Sequence, residues 1–144
     1  PVQEAIGKYV ADMIPDGATL QIGYGAIPDA VVMQLTHKRD LGIHTEMLGD
    51  GILTLIEAGA VTNRLKNYQR GKMVATFALG SHKLYQFMHR NPALEMHPSD
   101  VTNDPWLAGQ NDNLIAINAT MQIDLIGQCG SETLGFSPVS GTGG

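Results

Sequence analysis

Ala18-Thr19-Leu20-Gln21-Ile22-Gly23-Tyr24-Gly25-Ala26-Ile27-Pro28 runs from a short apolar stretch into two glycines and then a proline. Ala18 to Ile22 reads as a buried strand and Gly23 to Ala26 as a flexible turn. Pro28 suits the first position of a helix continuing to about His37, because proline has no N–H to lose there and its φ is already helical. A strand, glycine turn and helix is the opening unit of an α/β sheet. The alternation returns downstream. Ile43 to Glu46 reads as a second strand, with Gly51 to Ala58 as its helix and Gly59 as the cap. Met73 to Leu79 reads as a third, with Ser81 as N-cap of a helix to about Arg90 that Asn91-Pro92 ends. Upstream, Val2, Ile6, Tyr9, Val10 and Met13 recur at helical spacing before the turn residues Pro15-Asp16-Gly17.

Beyond a loop rich in Asn, Asp and Pro between Pro98 and Asn113, Leu114 to Ala119 and Met121 to Ile126 are apolar and β-leaning. Strands alternating with helices imply right-handed crossovers, hence an α/β fold with a mainly parallel sheet flanked by helices. Ligands in such folds bind outside the carboxyl ends of the strands. The Gly23–Gly25 turn and Glu46 both fall at such ends.

The 144 residues predict one domain, with neither repeat nor linker, and the start without Met and the terminal glycine cluster predict a fragment. A net charge of −5 with nine scattered Lys and Arg provides no basic field for nucleic acid. No run approaches the roughly 18 apolar residues of a membrane span, and residues 1–14 lack the pattern of a secretion signal. A single cysteine, Cys129, excludes an intrachain disulfide and reads as a structural thiol in a reducing compartment. A cytoplasmic location is expected. The five histidines, at 37, 44, 82, 89 and 97, show no chelating spacing, so no metal site is expected.

Two segments invite chemistry. Glycines at 23 and 25 let backbone N–H groups approach a ligand, and the helix that follows would favour an anion. Spacing alone equally allows a turn made of glycine for steric reasons. Glu46 is offered at a strand end beside Met47-Leu48-Gly49-Asp50-Gly51, where a carboxylate could act as a nucleophile or stand as an ordinary solvated side chain. His44 shares its strand face and reads as a partly buried histidine. A Gly-x-Gly turn with an acidic residue about twenty positions on also permits a dinucleotide-binding module, but Pro28 stands where the third glycine of that fingerprint belongs.

Taken together, Gln21-Ile22-Gly23-Tyr24-Gly25-Ala26-Ile27-Pro28-Asp29-Ala30 and Leu41-Gly42-Ile43-His44-Thr45-Glu46-Met47-Leu48-Gly49-Asp50-Gly51 resemble the paired signatures of the acetyl-CoA hydrolase/transferase family, in particular its 4-hydroxybutyrate and butyrate:acetate CoA-transferases. Val101-Thr102-Asn103-Asp104-Pro105, Ile115-Ala116-Ile117-Asn118 with Ile123-Asp124-Leu125-Ile126-Gly127, and Gly141-Thr142-Gly143-Gly144 extend the resemblance over nearly the whole chain. It implies a carboxyl-terminal catalytic domain of the CoA-transferase (NagB/RpiA-like) type over residues 1–144, lacking the amino-terminal half and the end of the chain. The activity implied is transfer of CoA between a short-chain acyl-CoA and a carboxylic acid through a glutamyl-CoA thioester on Glu46. An acyl-CoA hydrolase of the same family is the alternative.

The resemblance further implies that Asn103 helps polarise the reacting carbonyl. It assigns Gln21, Ile22, Gly23, Tyr24 and Gly25 to coenzyme A, together with Asn118 and the glycines Gly141, Gly143 and Gly144. CoA enters as substrate, no tightly bound cofactor is expected, and the full-length enzyme is expected to be a homo-oligomer. Leu48-Gly49 departs from the Phe-Ser often found after the Glu-Met pair.

Overall fold

The computed structural model describes residues 2–141. Helix α1 (Val2–Met13) leads into β1 (Thr19–Ile22), α2 (Ala26–Met33), β2 (Gly42–Leu48), α3 (Gly51–Glu57), β3 (Met73–Ala78) and α4 (His82–Met88). Then come β4 (Leu94–Met96), the one-turn helices α5 (Ser99–Thr102) and α6 (Pro105–Ala108), and β5 (Leu114–Ile117). Two small hairpins follow, β6 (Gln122–Ile123) with β7 (Cys129–Gly130) and β8 (Thr133–Leu134) with β9 (Ser137–Pro138).

Strands β4-β3-β2-β1-β5 form a sheet in that order, every neighbouring pair parallel. A parallel sheet with helices on both faces needs strands that are apolar on both sides. The first four residues of β2 are accordingly buried without alternation. Leu20, Ile43 and Val74 from the strands, with Val31, Val32, Leu55 and Leu84 from the helices, are all but inaccessible. Strands β1 to β4 advance in one direction and β5 returns to the other side of β1. The ends of β1 and β5 are therefore the topological switch point, where such sheets open a crevice.

Several expectations are corrected. Of the large apolar residues of α1, Val2, Tyr9 and Met13 are 73%, 72% and 73% exposed, while Ile6 is half-buried and Val10 packs partly against the core. The helix docks through Gly7 and Ala11, so close to α2 that a Cβ on Gly7 would lie 2.6 Å from the Ala30 carbonyl oxygen. Helix α2 starts at Ala26, so Pro28 is its third residue, and it closes at Met33 rather than near His37. Gln34 N–H and Leu35 N–H donate to the carbonyls of Val31 and Val32, which tightens the last turn and stops the helix. Met121 to Ile126 does not join the sheet; only Gln122 and Ile123 pair, antiparallel, with the hairpin partner. The supposed loop from Pro98 to Asn113 contains α5 and α6. The latter is capped by Asp104, which accepts from Leu107 N–H at 2.9 Å, with Pro105 at its start. The edge strand β4 was not anticipated.

Candidate active site

Backbone pairing between β1 and β2 stops at Leu20 and Ile43, whereas β1 stays paired with β5 through Ile22 and Ile117. Where the next β1–β2 pair would fall, the Thr45 hydroxyl takes over. It accepts from Ile22 N–H at 2.9 Å and lies 3.1 Å from the Ile22 carbonyl oxygen, to which it can donate. The two strand ends are thus joined through a side chain rather than backbone to backbone, and a cleft of about 560 Å³ opens above them. That is within the usual range for a small-molecule site.

Gln21, Ile22, Gly23 and Tyr24 line one wall. Gly23 must be glycine because a Cβ there would stand 2.5 Å from Asn118 Oδ1 and 3.0 Å from the Ile117 carbonyl oxygen. Gly25 does not line the cleft; at φ 123° it turns the chain into α2 as the N-cap. Asn118 lies across from Gln21 at the end of β5, and Gly141 also lines the cleft. Gly143 and Gly144 lie outside the described residues.

Glu46 enters the same cleft from the end of β2, half-buried. Asn103, which caps the end of α5, donates from Nδ2 to Glu46 Oε2 at 3.0 Å. Residues 57 apart in sequence therefore meet at the mouth of the sheet. Beneath them His44 is 1% exposed, deeper than the partly buried histidine expected. Its Nε2 lies 2.9 Å from the Thr102 carbonyl oxygen. A carbonyl can only accept, so Nε2 carries the proton, and Nδ1 has no partner among the described residues. Burial depresses the proton affinity of this ring; the bond to Thr102 opposes that, while the charge of Lys66 and the neighbouring His97 add to it.

Lys66, 2% exposed, was not singled out from the sequence. Its Nζ donates to the carbonyls of Ile43 and Lys72 at 2.9 and 2.7 Å, and burial pushes its pKa down to about 8 against the attraction of Glu95. It sits at the opening of β2, away from the cleft, and braces the strand. Sequence reasoning also missed Met47 and Phe77, register neighbours on β2 and β3 that form an apolar wall, and Ser131, Glu132 and Ser140 from the hairpin region. Phe77 stands near the end of its strand as Glu46 does, the one pattern that would have found it. Cys129 is an exposed free thiol on β7 rather than a packed one. Among the described residues no group of His, Cys, Asp and Glu suits a metal ion, and no helix is long and apolar enough to cross a membrane.

Residues 80–144 match the family model described as acetyl-CoA hydrolase/transferase C-terminal domain. Over 144 residues the chain is 54% identical to the succinyl-CoA:cyclohexane-1-carboxylate CoA transferase of Geobacter metallireducens, covering 100% of this chain and 33% of that one. It is 48% identical over 143 residues to the 4-hydroxybutyrate coenzyme A transferase of Clostridium kluyveri, covering 99% and 33%.

The chain belongs to the acetyl-CoA hydrolase/transferase family.

Its fold agrees with that membership. The structure of 4-hydroxybutyrate CoA-transferase from Porphyromonas gingivalis superimposes with a TM-score of 0.86 at 42% identity, over 88% of this chain and 33% of that one. The chain spans about a third of the length of the curated relatives it matches. The matched family region carries Asn103 and Asn118 but stops short of Glu46, which falls instead in the whole-chain similarity to the family's CoA-transferases.

Proposed function

We propose that this chain is the carboxyl-terminal catalytic part of a CoA-transferase, moving CoA between a short-chain acyl-CoA and a carboxylic acid with Glu46 as nucleophile. The observation that carries the reading is the Glu46 carboxylate in the cleft walled by Gln21 to Tyr24, with the Asn103 amide 3.0 Å from Oε2.

A carboxylate oxygen of Glu46 attacks the thioester carbonyl carbon, the C–S bond breaks, and CoA leaves as thiolate with an acyl-glutamyl anhydride behind it. The thiolate then attacks the Glu46 carbonyl carbon and the anhydride C–O bond breaks. This releases the first carboxylate and leaves a glutamyl-CoA thioester. An incoming carboxylate reverses both steps. No proton changes hands, which suits a site whose reacting side chain is partnered by a neutral amide rather than a base. The anhydride also preserves the energy of the thioester where an ordinary ester would not, and kinetics should be ping-pong. Asn103 Nδ2 is placed to hydrogen-bond the oxygen on which charge develops, a contribution of about 3 kcal/mol in other enzymes. Gln21 to Tyr24, Asn118 and Gly141 would hold CoA, and Met47 with Phe77 would face the acyl group. The exposed, unpaired Cys129 suits a reducing compartment, and we place the protein in the cytoplasm.

The test is mass spectrometry of the full-length protein after exposure to acyl-CoA and trapping with hydroxylamine or borohydride. Label on the peptide containing Glu46 is expected; label on any other residue overturns the assignment. Loss of the trapped thioester to water, without a carboxylate acceptor and at a rate matching turnover, would make the enzyme a hydrolase instead.

A further inference from the structure

The contact between Asn103 and Glu46 is backed by a second one, a residue earlier on α5 and two residues earlier on β2. His44 and Glu46 project from the same face of β2, since side chains alternate along a strand. They grip consecutive residues: His44 Nε2–H donates to the Thr102 carbonyl at 2.9 Å, and Glu46 accepts from the Asn103 amide at 3.0 Å. Helix α5 is a single turn of four residues with no side-chain cap at Pro98. Such a turn cannot hold its own conformation, so its position is set by what it leans on. The bond from His44 is the buried part of that support, with His44 1% and Thr102 3% exposed, whereas Asn103 is exposed.

A histidine is a poor choice if filling space were the whole task. Among the described residues its Nδ1 is buried without a partner, as is the Thr102 hydroxyl, and an apolar side chain would carry no such penalty. What only a donor at this point achieves is a fixed Thr102 carbonyl, and hence a fixed start for the Asn103 side chain.

We propose that His44 is a positioning residue for the transfer reaction, its Nε2–H anchoring the end of α5 through Thr102 so that the Asn103 amide stays registered on Glu46. The inference rests on the proposed roles of Glu46 and Asn103. The ring takes no part in the chemistry and does not reach the substrate.

The test uses the full-length protein and four variants, H44L, H44Q, N103A and the double variant H44L/N103A, with kcat and KM for acyl-CoA measured separately. Displacing a reacting group by about 1 Å costs on the order of a hundredfold. H44L is therefore expected to lower kcat by roughly 10- to 100-fold with KM within about threefold. H44Q places an amide N–H near the lost Nε2 and should recover kcat to within about fivefold of the parent. Because His44 acts through Asn103, H44L should lower kcat by less than about twofold once Asn103 is already alanine.

An unchanged kcat in H44L, equal impairment of H44L and H44Q, an effect confined to KM, or multiplicative losses in the double variant would each overturn the proposal. Should H44L not fold, H44N replaces it: its shorter amide cannot reach the Thr102 carbonyl, so H44Q active and H44N impaired supports the role, and equal activity refutes it. Failure of the underlying reading looks different. In that case the trapped label is absent from Glu46 in the parent protein itself, whereas failure of the His44 role leaves that label in place.

Discussion

Gln21 and Asn118 exchange both of their amide hydrogen bonds across the tips of β1 and β5, Gln21 Nε2 donating to Asn118 Oδ1 at 3.1 Å and Asn118 Nδ2 to Gln21 Oε1 at 2.8 Å. The pair stitches the switch point of the sheet together at the level of the cleft, and it closes only because Gly23 leaves room for the Asn118 side chain.

Replacing Gly23 with alanine should push Asn118 aside, since the backbone oxygen of Ile117 leaves the new methyl nowhere else to go. A rise of roughly tenfold in KM for acyl-CoA is expected, equivalent to about 1.4 kcal/mol. Steady-state kinetics on a Gly23→Ala protein decide it, and an unaltered KM would mean that the Gln21–Asn118 pair has no part in binding.

Glu46→Gln keeps the size of the side chain and removes its nucleophilic charge. By analogy with nucleophile deletions elsewhere, kcat should drop by roughly 10⁴-fold or more. CoA binding measured by calorimetry should be within a few-fold of the parent. Exchange activity surviving in this variant rules out nucleophilic catalysis by Glu46.

Gly7→Ala sets two effects against each other. Helix propensity favours alanine by about 1 kcal/mol. Forcing a methyl to 2.6 Å from the Ala30 carbonyl oxygen is overpacking against rigid backbone, which costs about 1 to 3 kcal/mol. The clash should win, and thermal melts should show a lowered Tm; a raised Tm would mean that α1 can lift off α2 at little cost.

Lys66 gives a pH dependence with a definite sign. Its pKa falls from 10.5 to about 8 on folding, so between those values the unfolded chain holds a proton that the folded one has shed. Stability therefore rises with pH across that window, by at most about 3 kcal/mol, as the buried charge is relieved. The neutral amine still has two N–H groups for Ile43 and Lys72. Comparing melts of the parent and Lys66→Met from pH 7.5 to about 10.5 isolates the effect, because other titrating groups are common to both. A constant difference in Tm would exclude it.

How much of this could be read from the sequence depended on how local the signal was. Glycines at 23 and 25, a carboxylate closing a strand at 46, and helices alternating with strands are written in neighbouring residues, and they led to the parallel sheet and to the cleft above β1 and β2. The docking of α1 through Gly7 and Ala11 was not legible because these residues make the contact by being small, while hydrophobic periodicity registers only what is large. Strand β4 offers three residues, too few to alternate, and α5 is a single turn fixed by distant partners. The grip of His44 on Thr102 joins positions 58 apart and leaves no trace in either segment. Buried Lys66 was hidden for the same reason: its partners are backbone carbonyls, which have no identity in a sequence.

The β1–β5 seam ties side chains 97 positions apart. During synthesis, β1, β2 and β3 can emerge and pair while the last wall of the cleft is still untranslated, so Glu46 is in place before its enclosure. Until Ile117 leaves the ribosome, β1 presents a bare apolar edge, the kind that recruits wrong strands. A seam of such long sequence range also forms slowly. Nascent chains of this protein are therefore most prone to aggregate between translation of β1 and arrival of β5, and a chaperone that shields a strand edge would matter most in that interval.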